Sequence, residues 1–492
     1  MIVKIRDHER LSLSLLAFLA VFFLIAFLRP VLGDADSWWH LAAGKWILAN
    51  QQVPTVDPFS HSRPGAPWHA QEWLSEVVMW ATYAHWGWEG LIGLAALLAG
   101  GAAAIFCHHV RRFLPPVAAI ALTVLVALCL MPSAWVRPHM MVLPILLLWL
   151  IRLLAARDQG KAPPLLLAAL MVLWANMHAS FLLGLVMIVP FALEAVAQPG
   201  DRRGAMIGWG GFALVALTAS LVTPFGIEGL IYPLQVSAME TLHSIVEWKP
   251  PTLADSPFFF LLLFGLLLAF ILLGVRFRPF RALLFLLFLY MAFSHRRHIF
   301  VFAFLGSLLA AEPLGRALPK RTAPERGASA LDRGFVLAMA ASVLMLLAAR
   351  ILVPVGAGLN HGQPLAAIAA VPPELRTKAV FNHYNFGGPL IFSGIRPFID
   401  GRADMYGDAF VKDYLAAEDA DPAIQARLFR DYGIRWTILP PRSPLVPYLA
   451  ARGWRRVYAD DRAVVQASPA FRRTNPTEVR RVAALRQYPV LK

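Results

Sequence analysis

Long apolar runs, broken by short basic clusters, dominate the first two thirds of this 492-residue chain. A helix rises 1.5 Å per residue, so about 20 mostly apolar residues are needed to cross a hydrocarbon layer about 30 Å thick. On that measure the runs at 11–30, 90–107, 115–132, 138–155, 164–178, 180–197, 205–223, 257–274, 281–294, 298–312 and 334–354 are candidate spans, about eleven in all. The stretch 164–197 also reads as one broken hairpin. Lys4, Arg6 and Arg10 precede the first run, as they would in a cleaved leader. No small-residue cleavage site follows before Gly33-Asp34, so the run reads as a retained first helix.

Charge tests this pattern. With a cytoplasmic N-terminus, the inner loops hold His108-His109-Val110-Arg111-Arg112, then Arg152 to Lys161, then Asp201-Arg202-Arg203. Arg276, Arg278 and Arg281 come next, followed by a polar linker with Arg316, Lys320, Arg321, Arg326 and Arg333. Every inner loop is basic, as the positive-inside rule requires. The net charge of +15 is therefore the mark of membrane topology and not of a nucleic-acid-binding face. Composition agrees: 58% of residues are hydrophobic and 15% charged, with a mean hydropathy of +0.59, whereas soluble domains are about half apolar and about a quarter charged. Cys107 and Cys129 both fall in apolar runs and supply neither a disulfide framework nor a cysteine metal site.

The expected architecture is a polytopic α-helical membrane protein with a transmembrane region at 1–355 and an extracytoplasmic tail at 356–492 that is long enough to be a small α/β domain. The outer side also carries the first loop, 33–89, and the loop 224–256 with Glu247-Trp248-Lys249-Pro250-Pro251. In the tail, Ala379 to Phe381, Leu390 to Phe392, Pro397 to Ile399 and Trp436 to Leu439 are strand candidates, with a turn at Gly387-Gly388. Helical patterns occupy about 408–418, 421–432 and 445–452, and a hairpin runs through Arg456-Val457-Tyr458 and Ala463-Val464-Val465. Strands alternating with helices predict a partly parallel sheet.

The first loop opens with Asp34-Ala35-Asp36, just outside the first span. Acids at such a position are a functional hypothesis by default. A carboxylate there can serve as general base for an acceptor hydroxyl or as a ligand for Mg2+ or Mn2+. Equally, Asp36 or Ser37 can simply cap the following helix. Trp38, Trp39, Leu41, Ala42, Ala43 and Trp46 then share one broad helical face, with His40 among them, which predicts an amphipathic helix in the membrane interface. A second interfacial helix is expected to begin within Trp68-His69-Ala70-Gln71-Glu72-Trp73-Leu74-Ser75-Glu76.

This arrangement resembles the GT-C superfamily of membrane glycosyltransferases: an inner N-terminus, one span, a paired-acid motif opening a large outer loop, then an interfacial helix. Asp34-Ala35-Asp36 followed by Gly44-Lys45-Trp46-Ile47 is similar to the protein-mannosyltransferase and aminoarabinose-transferase relatives, although those have adjacent acids. The tail, with Phe381-Asn382-His383-Tyr384-Asn385-Phe386-Gly387-Gly388 and Asp400-Gly401-Arg402-Ala403-Asp404-Met405-Tyr406, resembles a group of bacterial membrane proteins allied to these enzymes. The resemblance implies a polyprenyl-phosphate sugar donor, transfer to a glycan, lipid or protein acceptor at the outer face of the cell membrane, inversion at the anomeric carbon, and a catalytic base at Asp34 or Asp36.

A separate signal comes from violations of the positive-inside rule. Ser294-His295-Arg296-Arg297-His298 and Arg137-Pro138-His139 put basic residues in tight outer loops. A lipid-linked phosphate would repay them, since arginine binds phosphate through paired charge-assisted hydrogen bonds. The same arginines can instead snorkel to head groups or pair with Glu247 and the loop acids. His178, in the outer turn Trp174 to Ser180, and Glu247 are candidates to line an acceptor cavity, along with Trp38, Trp39, His40, His69 and Glu72. Asp400, Arg402 and Asp404 would share one face at strand spacing, either touching the acceptor or forming a local ion-pair network. Two other functions stay open on these residues. A multi-pass transporter would be expected to show internal repeats and mid-membrane charge, which the chain lacks. A non-catalytic scaffold for envelope glycan assembly could keep the same architecture.

Overall fold

The computed structural model describes residues 2–27, 32–319 and 363–471, plus the single positions 337, 341, 344 and 345. Apart from those four positions, the candidate span at 334–354 lies outside the described residues, as do Lys320, Arg321, Arg326, Arg333 and the tail arginines 472, 473, 480 and 481. The chain forms two compact units. One comprises the N-terminus to Leu32, Ala43–Val53 and His69 to Gly358. The other comprises Gly33–Ala42, Pro54–Trp68 and the chain from Leu359 onward, so parts of the first loop belong with the tail.

The helical unit contains α1 (Ile2–Phe27), part of α2 (Asp36–Asn50), α3 (Trp73–Val110), α4 (Pro116–Leu130), α5 (Pro138–Asp158), α6 (Ala169–Met177), α7 (Phe181–Ala197), α8 (Arg202–Ser220), α9 (Ile227–Ser237), α10 (Pro257–Leu273) and α11 (Pro279–Ser294). Its last described helix is α12 (Arg296–Ala317), which opens with a tight 3-10 turn and has one wide π turn at Phe302–Gly306. The expectation of about eleven spans needs correction. Among the described residues, only α3, α4 with its 3-10 extension to Ser133, α5 and α12 are long and apolar enough to cross a membrane. Five further apolar helices are 17 residues or shorter, and the run at 205–223 became α8, which meets neither description. Breakers set the bounds of α10 and α11. Gly274 ends α10 in the left-handed region, and Pro279 opens α11 only after Arg276 and Arg278.

α3 joins two segments expected to be separate. It bends at Gly87, whose φ of +59° is open to glycine without strain, so the interfacial stretch and the apolar span become one broken helix. α2 forms where expected but is not a helix lying on lipid with one free face. Every residue from Ser37 to Gly44 is buried. At Gly44 a Cβ would overlap the carbonyl of Glu76 on α3, so this glycine is required by close approach.

Charge collects at the two ends of the helices. α5 has 21 residues, about 31 Å at 1.5 Å per residue, which matches the hydrocarbon thickness. At its C-terminal end, Arg157 and Asp158 meet Glu194 of α7, Arg278 and Arg281 at the start of α11, and Glu312 of α12. At its N-terminal end, Arg137 meets Glu247. Between these ends lie buried aromatic residues, among them Trp149, which donates to the Gly184 carbonyl at 2.9 Å.

The second unit is built on a four-stranded sheet of order β1-β2-β4-β3, where β1 is Val380–Asn382, β2 Trp436–Leu439, β3 Arg455–Ala459 and β4 Val464–Ala467. β1 runs parallel to β2, and the other pairs are antiparallel. Helices Asp408–Glu418, Pro422–Asp431 and Leu445–Ala450 lie close to the expected ranges. Asp421 caps the second by accepting from the Ala423 and Ile424 amides. Two expected strands are absent. Leu390–Phe392 completes a short helix, Gly387–Phe392, because a brief apolar run has no period that separates strand from buried helix. Pro397–Ile399 is irregular. The buried Asn382 amide serves it as a partner, donating to the Ile399 carbonyl at 2.8 Å and accepting from the Phe398 amide at 2.8 Å. Trp436, Ile438, Val465, Leu390 and Ile368 form the core beside the sheet.

Candidate functional site

In the second unit, three motifs singled out in the sequence pack against one another. Asp36 is the first residue of α2, and its Oδ1 accepts from Trp39 Nε1 at 3.1 Å. A Cβ at Gly401 would overlap that same oxygen and come within 2.9 Å of the Trp39 nitrogen. A Cβ at Gly388 would overlap the Ala35 carbonyl, and one at Gly387 the Ile399 carbonyl. None of these three glycines has positive φ; each is needed for space. Asp34 is half-buried just before the helix. Trp38 is buried edge-on to Phe392, and Trp39 packs between His40 and Trp68.

Asp400 and Arg402 flank Gly401 and do not lie on a strand, which corrects the expected shared face with Asp404. Arg402 is 1% exposed. It is held by Asp400 through two hydrogen bonds of 2.7 Å, and by Asp57 through a third of 2.8 Å. Its guanidinium also lies against the rings of Phe59 and Trp68. Burial alone would favour losing its proton, but Asp400 and Asp57 outweigh that and hold it firmly charged. Tyr406 donates to Asp400 at 2.7 Å, and Asp404 sits in the short helix Ala403–Tyr406. Asp57 was not singled out in the sequence; only its partner's motif could have pointed to it.

A tyrosine chain reaches Gly401 from the other side. Tyr384 Oη donates to the Gly401 carbonyl at 3.1 Å, its amide donates to Tyr414 Oη at 2.9 Å, and Tyr414 donates to Glu418 at 2.7 Å. Burial pushes the Glu418 carboxyl up to about 7. His383, 3.7 Å from Glu418, is lowered by burial to about 4.

In the helical unit, the basic residues expected to bind phosphate are not equivalent. Arg137 pairs with Glu247 at 3.0 Å. Arg296 pairs with Asp255 at 2.5 Å, and its amide donates to the Lys249 carbonyl. Arg297 lies over the Trp248 ring at 4.6 Å and is partly exposed. Among the described residues its guanidinium makes no hydrogen bond or ion pair. Burial works against the charge of Glu247, but Arg137 and Arg297 prevail and hold its carboxyl down at about 2. His295 meets Trp248 edge-on and His298 lies 5.4 Å from His295. His298 Nδ1 is 3.3 Å from the Met291 carbonyl, and His139 Nε2 donates to the Ser133 carbonyl at 2.7 Å.

Close by, the Ser180 amide donates to His178 Nδ1 at 3.0 Å, which leaves the ring proton on Nε2, 3.3 Å from Glu72. His139 and His178 rings are 6.5 Å apart. His69 is joined instead to Glu228 and stacked on Tyr232. Among the described residues, no group of three or more His, Cys, Asp or Glu side chains is arranged to hold a metal ion.

No sequence-family model matches the chain, and no curated protein matches it in sequence. Solved structures do. The oligosaccharyltransferase AglB of Archaeoglobus fulgidus, in complex with an inhibitory peptide and a dolichol-phosphate, superposes with a TM-score of 0.57 at 12% identity, covering 87% of this chain and 69% of that one. The oligosaccharyltransferase of the same organism in its apo form gives 0.53 at 13% identity, covering 86% and 69%. With Zn and sulfate it gives 0.53 at 12%, covering 86% and 68%. At such identities the likeness bears on fold alone: the chain shares the many-helix fold of these structures, with a C-terminal sheet-containing domain.

Proposed function

We propose that this protein is a membrane glycosyltransferase of GT-C type, moving a sugar from a polyprenyl-phosphate carrier to an acceptor at the extracytoplasmic face. The observation that carries the reading is Arg297. Its guanidinium is half-buried beside Trp248 and makes no hydrogen bond among the described residues, so its five donors are open to an anion. Trp248 beneath it offers a face that a lipid-borne group can reach. The shared fold supports the choice of anion, since one archaeal structure of that fold contains a dolichol-phosphate.

In this reading Arg297 receives the donor phosphate, with Arg137 and the nearby histidines His139, His295 and His298 shaping its surroundings. Arg296 fixes the loop through Asp255. Asp36 takes the proton of the acceptor hydroxyl as the new glycosidic bond forms and the carrier phosphate leaves. The Trp39 indole, donating to Oδ1, orients the carboxylate. Asp34 and Asp36 are a carboxylate pair of the kind that would hold Mg2+ or Mn2+, and the ion would supply positive charge to the reaction. His178 and Glu72 are proposed to line the acceptor side.

The test uses the full chain in nanodiscs with undecaprenyl phosphate as probe, read by native mass spectrometry. Arg297→Gln is expected to lose bound lipid, and Asp36→Asn to keep it while losing sugar transfer. Equal lipid retention by Arg297→Gln would remove the basis of the donor site. Lipid binding without transfer of any sugar by the wild type would favour the scaffold reading.

A further inference from the structure

We infer that Gly401 and Tyr384 are positioning residues for Asp36: together they fix the loop that sets where its carboxylate can lie. The inference rests on the reading of Asp36 as acceptor base given above. Its basis is geometric. Asp36 Oδ1 lies so close to the Gly401 α-carbon that no side chain fits between them. Gly401 has no positive φ, so the chain does not need glycine there for its backbone. What it needs is the missing Cβ, and the group occupying that space is the carboxylate.

Gly401 is itself immobilised from three directions. Asp400 on one side and Arg402 on the other are tied together and to Asp57 and Tyr406, and all four side chains are buried. One step further back, Asn382 holds the Phe398–Ile399 backbone. From the third direction Tyr384 Oη donates to the Gly401 carbonyl. The Ala35 carbonyl meets Gly388 in the same way that Asp36 meets Gly401, so two successive residues of the acidic motif each rest on a bare α-carbon. A capping aspartate requires none of this. Its usual partners are the first amides of its own helix; this carboxylate also accepts from the Trp39 indole and packs on the bare Gly401 α-carbon.

Arg402 and Asp400 are unsuitable for a test, because breaking a buried charge node damages the fold. Gly401→Ala and Tyr384→Phe act on the wall alone. The full chain in nanodiscs would be assayed with undecaprenyl-phosphate mannose, glucose and aminoarabinose as probe donors, following kcat and donor KM. Displacing a reacting group by about 1 Å can cost about 100-fold. Gly401→Ala is therefore expected to lower kcat by about that factor while donor KM stays within about twofold. Tyr384→Phe is expected to lower kcat by about three- to tenfold, the worth of one hydrogen bond, with the melting temperature unchanged.

A merely structural role would move KM and melting temperature together with kcat. If Gly401→Ala keeps kcat within threefold while Asp36→Asn is inactive, the positioning inference is overturned and the base assignment stands. If Gly401→Ala does not fold, Tyr384→Phe decides alone, and an unchanged kcat overturns the inference. A fully active Asp36→Asn removes the base assignment, and the positioning role falls with it.

Discussion

The two ends of the helical unit use similar residues to opposite effect. At the Glu194 end, Arg157, Arg278 and Arg281 share three acids, and Glu312 also takes Arg316. Glu194, 4% exposed, is in contact with three arginines from two other elements. At the Glu247 end the pairing is incomplete: Arg137 and Arg296 have carboxylates, whereas Arg297 has an aromatic face and, among the described residues, no hydrogen-bond acceptor. A closed network is a joint between helices. An open one keeps hydrogen-bonding capacity for something that is not protein. The ends also differ in burial: Glu194, Arg157 and Arg281 are about 5% exposed, whereas Arg137, Glu247, Arg296 and Asp255 are partly open to solvent.

The closed end gives the largest expected effect. Removing one partner of a buried ion network strands the others and typically costs about 3–5 kcal/mol. Glu194→Leu should therefore lower the melting temperature of the purified protein sharply, and adding Arg157→Met should recover only part of the loss, since Arg278 and Arg281 still lack Glu194. If the single variant melts like the wild type, the Glu194 end is not a joint and the contrast between the ends disappears.

Next in size is Arg297→Gln. Charge-assisted hydrogen bonds contribute about 1.5–3 kcal/mol, so affinity for undecaprenyl phosphate should fall roughly 10- to 150-fold. Among the described residues Arg297 makes no hydrogen bond and acts on Glu247 through its charge alone, so the variant's melting temperature should fall far less than that of Glu194→Leu. A large fall in stability with unchanged lipid affinity would turn this end into a second joint.

These roles were only partly legible in the sequence. The basic clusters at 137–139 and 294–298 were legible, because the expected topology put them in tight outer loops against a strong rule. The inequality of Arg296 and Arg297 was not readable. It arises where a 3-10 turn aims neighbouring side chains in different directions, one to Asp255 and the other to Trp248. In the second unit, β2 and the hairpin followed their β-branched patterns. Leu390–Phe392 did not, and the irregular Pro397–Ile399 depends on a side-chain amide seventeen residues away. Asp57 and the three contact glycines were hidden for a common reason: each is defined by a partner distant in sequence, and no local period reports such a partner. The number of spans was overestimated because hydropathy counts apolar residues without seeing where proline and glycine end a helix.

Glu247 sharpens the comparison through pH. Its folded pKa, about 2, lies below the ordinary carboxylate value, so the unfolded chain binds more protons between the two. The stabilisation is present above about 4.5 and is lost as pH falls toward 2. Across that window the wild type should lose about 1–3 kcal/mol that Glu247→Gln, already without it, does not lose. At neutral pH the same variant removes a negative charge from beside Arg137 and Arg297 and should bind undecaprenyl phosphate several-fold more tightly. Weaker binding would mean that Glu247 orients Arg137 for the lipid instead of occupying it.

The smallest effect separates two adjacent residues. Arg296 and Asp255 are each a little more than a quarter exposed, and pairs near the surface contribute about 0–1 kcal/mol. Asp255 also accepts from the Thr252 amide and from Ser256, so it stays satisfied when the arginine is gone. Arg296→Gln should therefore lower stability by less than about 1 kcal/mol. It should also leave undecaprenyl phosphate affinity within about threefold, because its amide bond to the Lys249 carbonyl still holds the turn that carries Arg297. A loss of affinity equal to that of Arg297→Gln would show that both arginines face the lipid in the working protein and that the Asp255 pair opens to release one of them. The open end would then carry two phosphate-binding cations, one of them held in reserve.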